Sequence, residues 1–197
     1  MPTCGRIIYD GAVCHIIQRG NNKQKIFRDD ADYKKFLSLF DEYRDRFAFE
    51  LYNYCLMANH LHLLLKIFKK EDLSKLMQGI FQSYRFYFKD KYQYAGYLYQ
   101  GRYISKLVEA DSYLLDCARY IERNPLRAKI VEDILQYRWS SYPFYAHGQI
   151  NGIITENPLF STLAKDAAKR REAYKEYVLR PRPYEDILDK AFGIAGY

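Results

Sequence analysis

Residues 57–65 read Met57-Ala58-Asn59-His60-Leu61-His62-Leu63-Leu64-Leu65. From position 60 the run is apolar except for two histidines spaced two apart. A β-strand sends successive side chains to opposite faces, so His60 and His62 project from the same face of a strand over residues 60–67. Two imidazoles side by side are half of a metal site, since histidine is the commonest protein metal ligand. The pair alone also fits an ordinary solvated strand face, and the flanking sequence has to decide.

Upstream, residues 49–57 form a second strand, joined to the first through Ala58-Asn59 as a tight turn or a bulge. Residues 12–19 are β-branched and apolar, and Gly20-Asn21-Asn22 ends that strand with turn chemistry. Asp29 or Asp30 caps a helix whose stripe is Tyr33, Phe36, Leu37, Phe40, Tyr43 and Phe47. Downstream, Asp72 is placed to cap a second helix over 73–92, with Leu73, Leu76, Met77, Ile80, Phe81, Tyr84 and Phe88 on one side. Residues 97–108 read as a fourth strand, in which Gly101 marks a bulge or a close backbone approach.

A third helix starts near Asp111 and ends at Asn124, because Pro125 disfavours helical geometry in the residue before it. Residues 137–145 are aromatic and irregular, with Trp139 as a packing anchor. A basic helix follows over 164–178, and Arg180-Pro181-Arg182-Pro183 breaks it. The order β-α-β-β-α-β-α predicts an α+β fold: a ferredoxin-like four-stranded antiparallel sheet with helices on one face. To it are added a third helix free to meet the histidine-bearing strand and a C-terminal helical extension. Residues 1–150 are expected to form one domain and 151–197 the basic extension.

The 197 residues carry a formal net charge of +7, which suits a polyanionic partner. Twenty-one tyrosines and 12 phenylalanines accompany a single tryptophan. Aromatic rings among cations suit single-stranded nucleic acid, although much of such a set must also build the core. Cys4, Cys14, Cys55 and Cys117 have neither CxxC spacing nor a disulfide-framework pattern, so buried free thiols in a reducing cytosol are expected. There is no signal-peptide h-region, and no apolar run approaches the ~20 residues of a membrane span. A cytoplasmic protein is expected.

Tyr120 and Asn124 stand one turn apart on the third helix, off the Leu114/Ala118/Ile121 seam. A phenol oxygen can form covalent intermediates, and an amide oxygen one turn on could complete a metal site with two histidines. Tyr113, seven residues before Tyr120, lies on nearly the same face. Asn124 favours Tyr120, because only that tyrosine is within a turn of it.

Together, Asn59-His60-Leu61-His62-Leu63-Leu64, Gln100-Gly101-Arg102, Arg119-Tyr120-Ile121-x-x-Asn124-Pro125-x-Arg127-Ala128 and Trp139-Ser140-Ser141-Tyr142 resemble the single-tyrosine HUH transposases. The likeness covers roughly residues 7 to 145 and is closest to the REP-associated tyrosine transposases. The resemblance implies His60 and His62 as paired metal ligands, Asn124 as the third ligand and Tyr120 as the nucleophile. It implies Mg²⁺ or Mn²⁺ as the metal and hairpin-bearing single-stranded DNA as the substrate, cut through a 5′-phosphotyrosine. That family usually has proline where Ala58 stands, a difference that touches the turn and not the ligands.

Arg19, Arg102, Lys106, Arg119 and Arg127 are candidate DNA contacts around such a site, and His15 reads as a satisfied core histidine. The basic segment 164–182 could grip a hairpin, or be a solvated face or an oligomer contact. Monomer and homodimer both stay open. Two other readings compete: a domesticated hairpin-DNA-binding protein that moves nothing, and an RNA-binding ferredoxin-like module. The second has no use for the histidine pair.

Overall fold

The structure, a computed structural model, describes residues 8–109 and 111–180, apart from the side chains of Asp111 and Ser112. Cys4, Pro181, Arg182 and Pro183 lie outside the described residues. Four strands, β1 (Val13–Arg19), β2 (Phe49–Met57), β3 (His60–Ile67) and β4 (Ile104–Leu107), form one sheet in the order β2-β3-β1-β4. Every pairing is antiparallel, with Cys55 opposite His62, Met57 opposite His60 and Ile17 opposite His62. This is the ferredoxin-like sheet expected from the element order.

Helices α1 (Asp30–Arg44) and α2 (Lys70–Tyr92) cover one face. Their stripes meet Cys14, Ile16, Tyr54, Leu56, Leu61, Leu63 and Leu65 in the larger core. Burying a side chain of that size contributes roughly 1.5–3 kcal/mol, so this face dominates stability. Helix α1 opens with a capping box: Asp29 accepts from the Asp32 amide at 3.1 Å, and Asp32 accepts from the Asp29 amide at 3.3 Å. Helix α2 begins earlier than expected, and Asp72 is not its cap. The Lys70 amide instead donates to Asp10 Oδ1 at 2.9 Å, a cap supplied from 60 residues away. At Gly79 any Cβ would stand 2.4 Å from the Tyr43 ring, so glycine lets α1 and α2 approach.

On the opposite face lies α3 (Asp111–Glu122), packed on β2 and β3 through Leu114, Ala118, Tyr120 and Ile121. Pro125 does not simply end it. Pro125 sits in the first turn of a further short helix, α4 (Asn124–Arg127), where its missing amide costs nothing. A bulge at Tyr52, between the Leu51 and Asn53 registers, turns Tyr52 and Asn53 in succession toward α3. Beyond it, α5 (Tyr142–His147) and α6 (Ala167–Leu179) build a third apolar cluster with Phe160 and Ile134. Asp166 caps α6, so it starts three residues later than the sequence suggests.

Two expectations change in detail. The fourth strand is confined to Ile104–Leu107, because residues 99–102 leave the ladder: Gln18 Nε2 donates to the Gly101 carbonyl at 3.1 Å and the Gln100 amide to the Arg19 carbonyl at 3.0 Å. Residues 142–147 are helical rather than irregular, while Trp139 anchors its segment by stacking on Tyr33, with ring centroids 4.4 Å apart. That segment also covers the outer edge of β2 through the Cys55–Ser140 bridge. Many tyrosines staple the core rather than face solvent: Tyr84, Tyr137 and Tyr145 donate to the carbonyls of Ile26, Leu56 and Tyr52. Cys14 is buried, Cys55 is a buried free thiol, and Cys117 is half-buried and free. No described helix is long and apolar enough to cross a membrane.

Candidate active site

His60 and His62 lie on the sheet face that meets α3, with ring centroids 5.2 Å apart. The turn at Ala58-Asn59 makes this possible without proline. Ala58's carbonyl accepts from the Ile26 and Phe27 amides, and Asn59's carbonyl accepts from Gly20. Asn59 then places its Oδ1 2.7 Å from His60 Nδ1, leaving the Nε2 edge of that ring for another partner.

His62 is held from the other side. Its Nδ1 lies 2.9 Å from His15 Nε2, and the two rings stack with centroids 5.2 Å apart. His62 Nε2 is buried with no hydrogen-bond partner among the described residues. Tyr120 closes the group, its ring centroid 5.8 Å from His62 and 5.9 Å from His15. Tyr113 on the same helix is two-thirds exposed, whereas Tyr120 is buried. One turn beyond Tyr120, Asn124 spends its Nδ2 on the carbonyls of Tyr120 and Ile121, at 2.9 and 3.1 Å. That turns its amide oxygen toward His60, a hydrogen bond that favours the charged ring.

Burial works against that charge and wins. It is the first cause that pushes His15 and His60 down to about 3 and His62 well below its ordinary value. Nearby cations add to it: Lys106 beside His15, Arg19 beside His60 and His62, and Arg127 near His62. The three imidazoles are therefore neutral at pH 7, the form a metal ligand requires. Among the described residues no three His, Cys, Asp or Glu side chains form a ready metal cage. What the site offers instead is two neutral imidazoles with the Asn124 amide oxygen beside His60. The unpartnered Nε2 of His62 would suit a divalent cation, and Asn59 and His15 stand where outer partners of metal-bound histidines would stand.

The candidate DNA contacts divide. Arg127 sits over the Tyr120 ring, 5.2 Å from its centroid. Arg19, Lys106 and Arg127 surround the histidines, and Arg102 is exposed on the loop before β4. Arg119 does not belong with them. It is buried and donates to the carbonyls of Tyr177, at 3.0 Å, and Arg180, so it fastens α3 to the end of α6. A guanidinium spent on two carbonyls has little left for phosphate. His15 is likewise more than the core histidine expected. Only the pairing of β1 with β3 brings it diagonally beside His62.

A second buried cluster lies behind Tyr120. Glu122 accepts from Ser141 Oγ at 2.5 Å, from Tyr174 at 2.8 Å and from Asn53 Nδ2 at 2.9 Å. Burial raises its carboxyl to about 7 against the pull of those donors. This network ties α3 to β2, α5 and α6. Sequence reading missed it, because a lone glutamate in a helix carries no signal of burial.

The sheet thus carries helices on both faces, and on one of them a histidine pair faces a tyrosine of α3. The chain belongs to the IS200-like transposases, whose sequence profile matches residues 9–124. No curated protein matches it. Among solved structures, that of a REP-associated tyrosine transposase bound to a REP hairpin is similar, with a TM-score of 0.62. The alignment covers 80% of this chain and 93% of that one at 14% identity, a likeness of fold. A protein from Deinococcus radiodurans R1, described as a transposase, gives a TM-score of 0.42 at 14% identity over 65% and 92% of the two chains.

Proposed function

We propose that this transposase cuts and rejoins single-stranded DNA beside hairpins, with Tyr120 as nucleophile and His60, His62 and Asn124 as ligands of Mg²⁺ or Mn²⁺. The observation that carries the reading is the packing of Tyr120 against His62 within one chain. A bound divalent ion would polarise the phosphodiester and neutralise its oxygens. Two imidazoles and an amide oxygen leave open positions for phosphate; Mg²⁺ favours oxygen ligands, and Mn²⁺ accepts imidazole more readily.

The chain's own residues do the rest. Asn59 and His15 hold the two rings, and Asn124 is fixed by the helix carbonyls it binds. The Tyr120 oxygen attacks phosphorus and loses its proton as the bond from phosphorus to the 3′ oxygen breaks. That oxygen takes up a proton and leaves as a free 3′-hydroxyl, with the 5′ phosphate on Tyr120. The bond energy is kept in the phosphotyrosine, so a 3′-hydroxyl at a new junction can reverse the step without a nucleotide cofactor.

Arg19, Arg102, Lys106 and Arg127 would pair with the strand's phosphates. The hairpin reading is supported by the likeness of fold to a transposase whose structure holds a REP hairpin. It includes a cytoplasmic location, a catalytic domain over 1–150 and a basic extension after it. A homodimer would carry two such sites. Incubating the protein with Mn²⁺ and a hairpin oligonucleotide with single-stranded flanks should give a covalent band. Tyr120→Phe should abolish that band and keep DNA binding, whereas Tyr113→Phe should retain it. An adduct mapped to Tyr113 would refute the assignment.

A further inference from the structure

A cleft of about 560 Å³ opens on the other side of the sheet end, between α2 and residues 99–103. Gln78, Gln82 and Arg85 line one wall from successive turns of α2, and Tyr99, Arg102 and Tyr103 line the other. Gln18 closes its floor, bonded to the Gly101 carbonyl. No carboxylate is among the residues that line it. Two guanidiniums with no carboxylate among the described lining residues fit a phosphate, amides carry the paired donor and acceptor that match a base edge, and a phenol ring offers a stacking surface.

Its position links it to the histidine site. Gln18 and Arg19 are neighbours at the end of β1 and so point to opposite faces, Gln18 into the cleft and Arg19 toward His60 and His62. The loop wall is pinned at that same strand end by the Gln100 amide on the Arg19 carbonyl and by the Gly20–Tyr99 bridge. Gly20 is needed there, because a Cβ would stand 2.1 Å from the Gln24 carbonyl oxygen. A strand wrapping around the end of β1 would meet both sites within a few nucleotides.

We propose that this cleft is a nucleotide subsite holding one unpaired nucleotide of the hairpin's flank, its base against Tyr99 or Tyr103 and the amides of Gln78 and Gln82, its phosphate on Arg85 and Arg102. The proposal rests on the single-stranded DNA reading above and adds to it a place of base recognition away from the metal ligands. The amides make the subsite selective, where stacking alone would accept any base.

The test uses the full chain and fluorescent hairpins that share one stem and carry single-stranded flanks, with one abasic residue moved through the flank positions. One position should weaken binding about 5- to 150-fold when abasic, the span that stacking a single base covers. Gln78 and Gln82 are exposed, so the Gln78→Ala/Gln82→Ala protein keeps its fold. That variant should bind the intact flank more weakly and show a smaller penalty at that position alone, since it loses the amide bonds to the base and keeps the stacking ring. Arg85→Gln should lower the slope of log affinity against log salt by about 0.7.

If the double variant keeps the full penalty, or no position is sensitive, the subsite is wrong. The covalent adduct and the affinity for the bare stem separate the two levels. An adduct without a sensitive position overturns only the subsite. Absence of both adduct and hairpin binding overturns the functional reading as well.

Discussion

His15 Nε2 stands 2.9 Å from His62 Nδ1, and both rings are buried. For His62 to offer the Nε2 lone pair to a cation, its proton must lie on Nδ1, where His15 accepts it. His15 is thus a positioning residue that sets the tautomer of a ligand. His15→Phe keeps the ring volume and removes the acceptor. Its affinity for Mn²⁺, measured by titration calorimetry, should fall about 10- to 100-fold, the usual cost of losing an outer-shell partner. Unchanged affinity in a folded variant would refute this role.

Tyr120 reaches its histidines within one chain, held there by α3. Asp116, Glu122 and Arg123 tie that helix to α6 through Tyr177, Tyr174 and the carbonyls of Val178 and Leu179. Mixing a His60→Ala/His62→Ala protein with Tyr120→Phe should therefore form no covalent adduct beyond that of either alone. Restored adduct in the mixture would mean that the tyrosine serves a second copy.

Tyr174 supplies one of three donors to the buried Glu122 carboxyl. Tyr174→Phe leaves that acceptor short of a partner, and the loss should be about 1–3 kcal/mol in urea unfolding. An unchanged urea midpoint would argue that the Tyr174 hydroxyl adds nothing to the fastening of α3.

The metal-free protein should lose stability in acid. His15 and His60 are held down at about 3 and His62 lower still, chiefly by burial, against 6.5 in an unfolded chain. Their contribution is present above pH 6.5 and is lost as pH falls, because only the unfolded chain takes up those protons. Glu122 has the opposite sign. Raised to about 7 from 4.5, it stabilises at low pH and loses that effect as pH rises through 7. Between pH 6.5 and 4.5 three protons on the unfolded chain oppose one on the folded, so stability should fall by up to about 2.7 kcal/mol per unit of acidification. Melting in EDTA across pH 7.5 to 5 checks the sign; a flat or rising Tm would contradict it.

What could be read in the chain was what local periodicity encodes. The stripe from Tyr33 to Phe40, the alternation that gives His60 and His62 one face, and the Asp29 cap each depend on neighbours within a few residues, and all stand in the structure. The spacing of Tyr120 and Asn124 put them one turn apart, as they stand, but Tyr120 packs with Leu114, Ala118 and Ile121 rather than off their seam. Three features came only from tertiary structure, because each depends on chain segments far apart. Asp10 caps α2 across 60 residues, the pairing of β1 with β3 brings His15 beside His62, and α6 takes up Arg119, which the sequence offered as a DNA contact. Local sequence sets which face a side chain occupies; what it meets there is decided by the segments that the fold packs against that face.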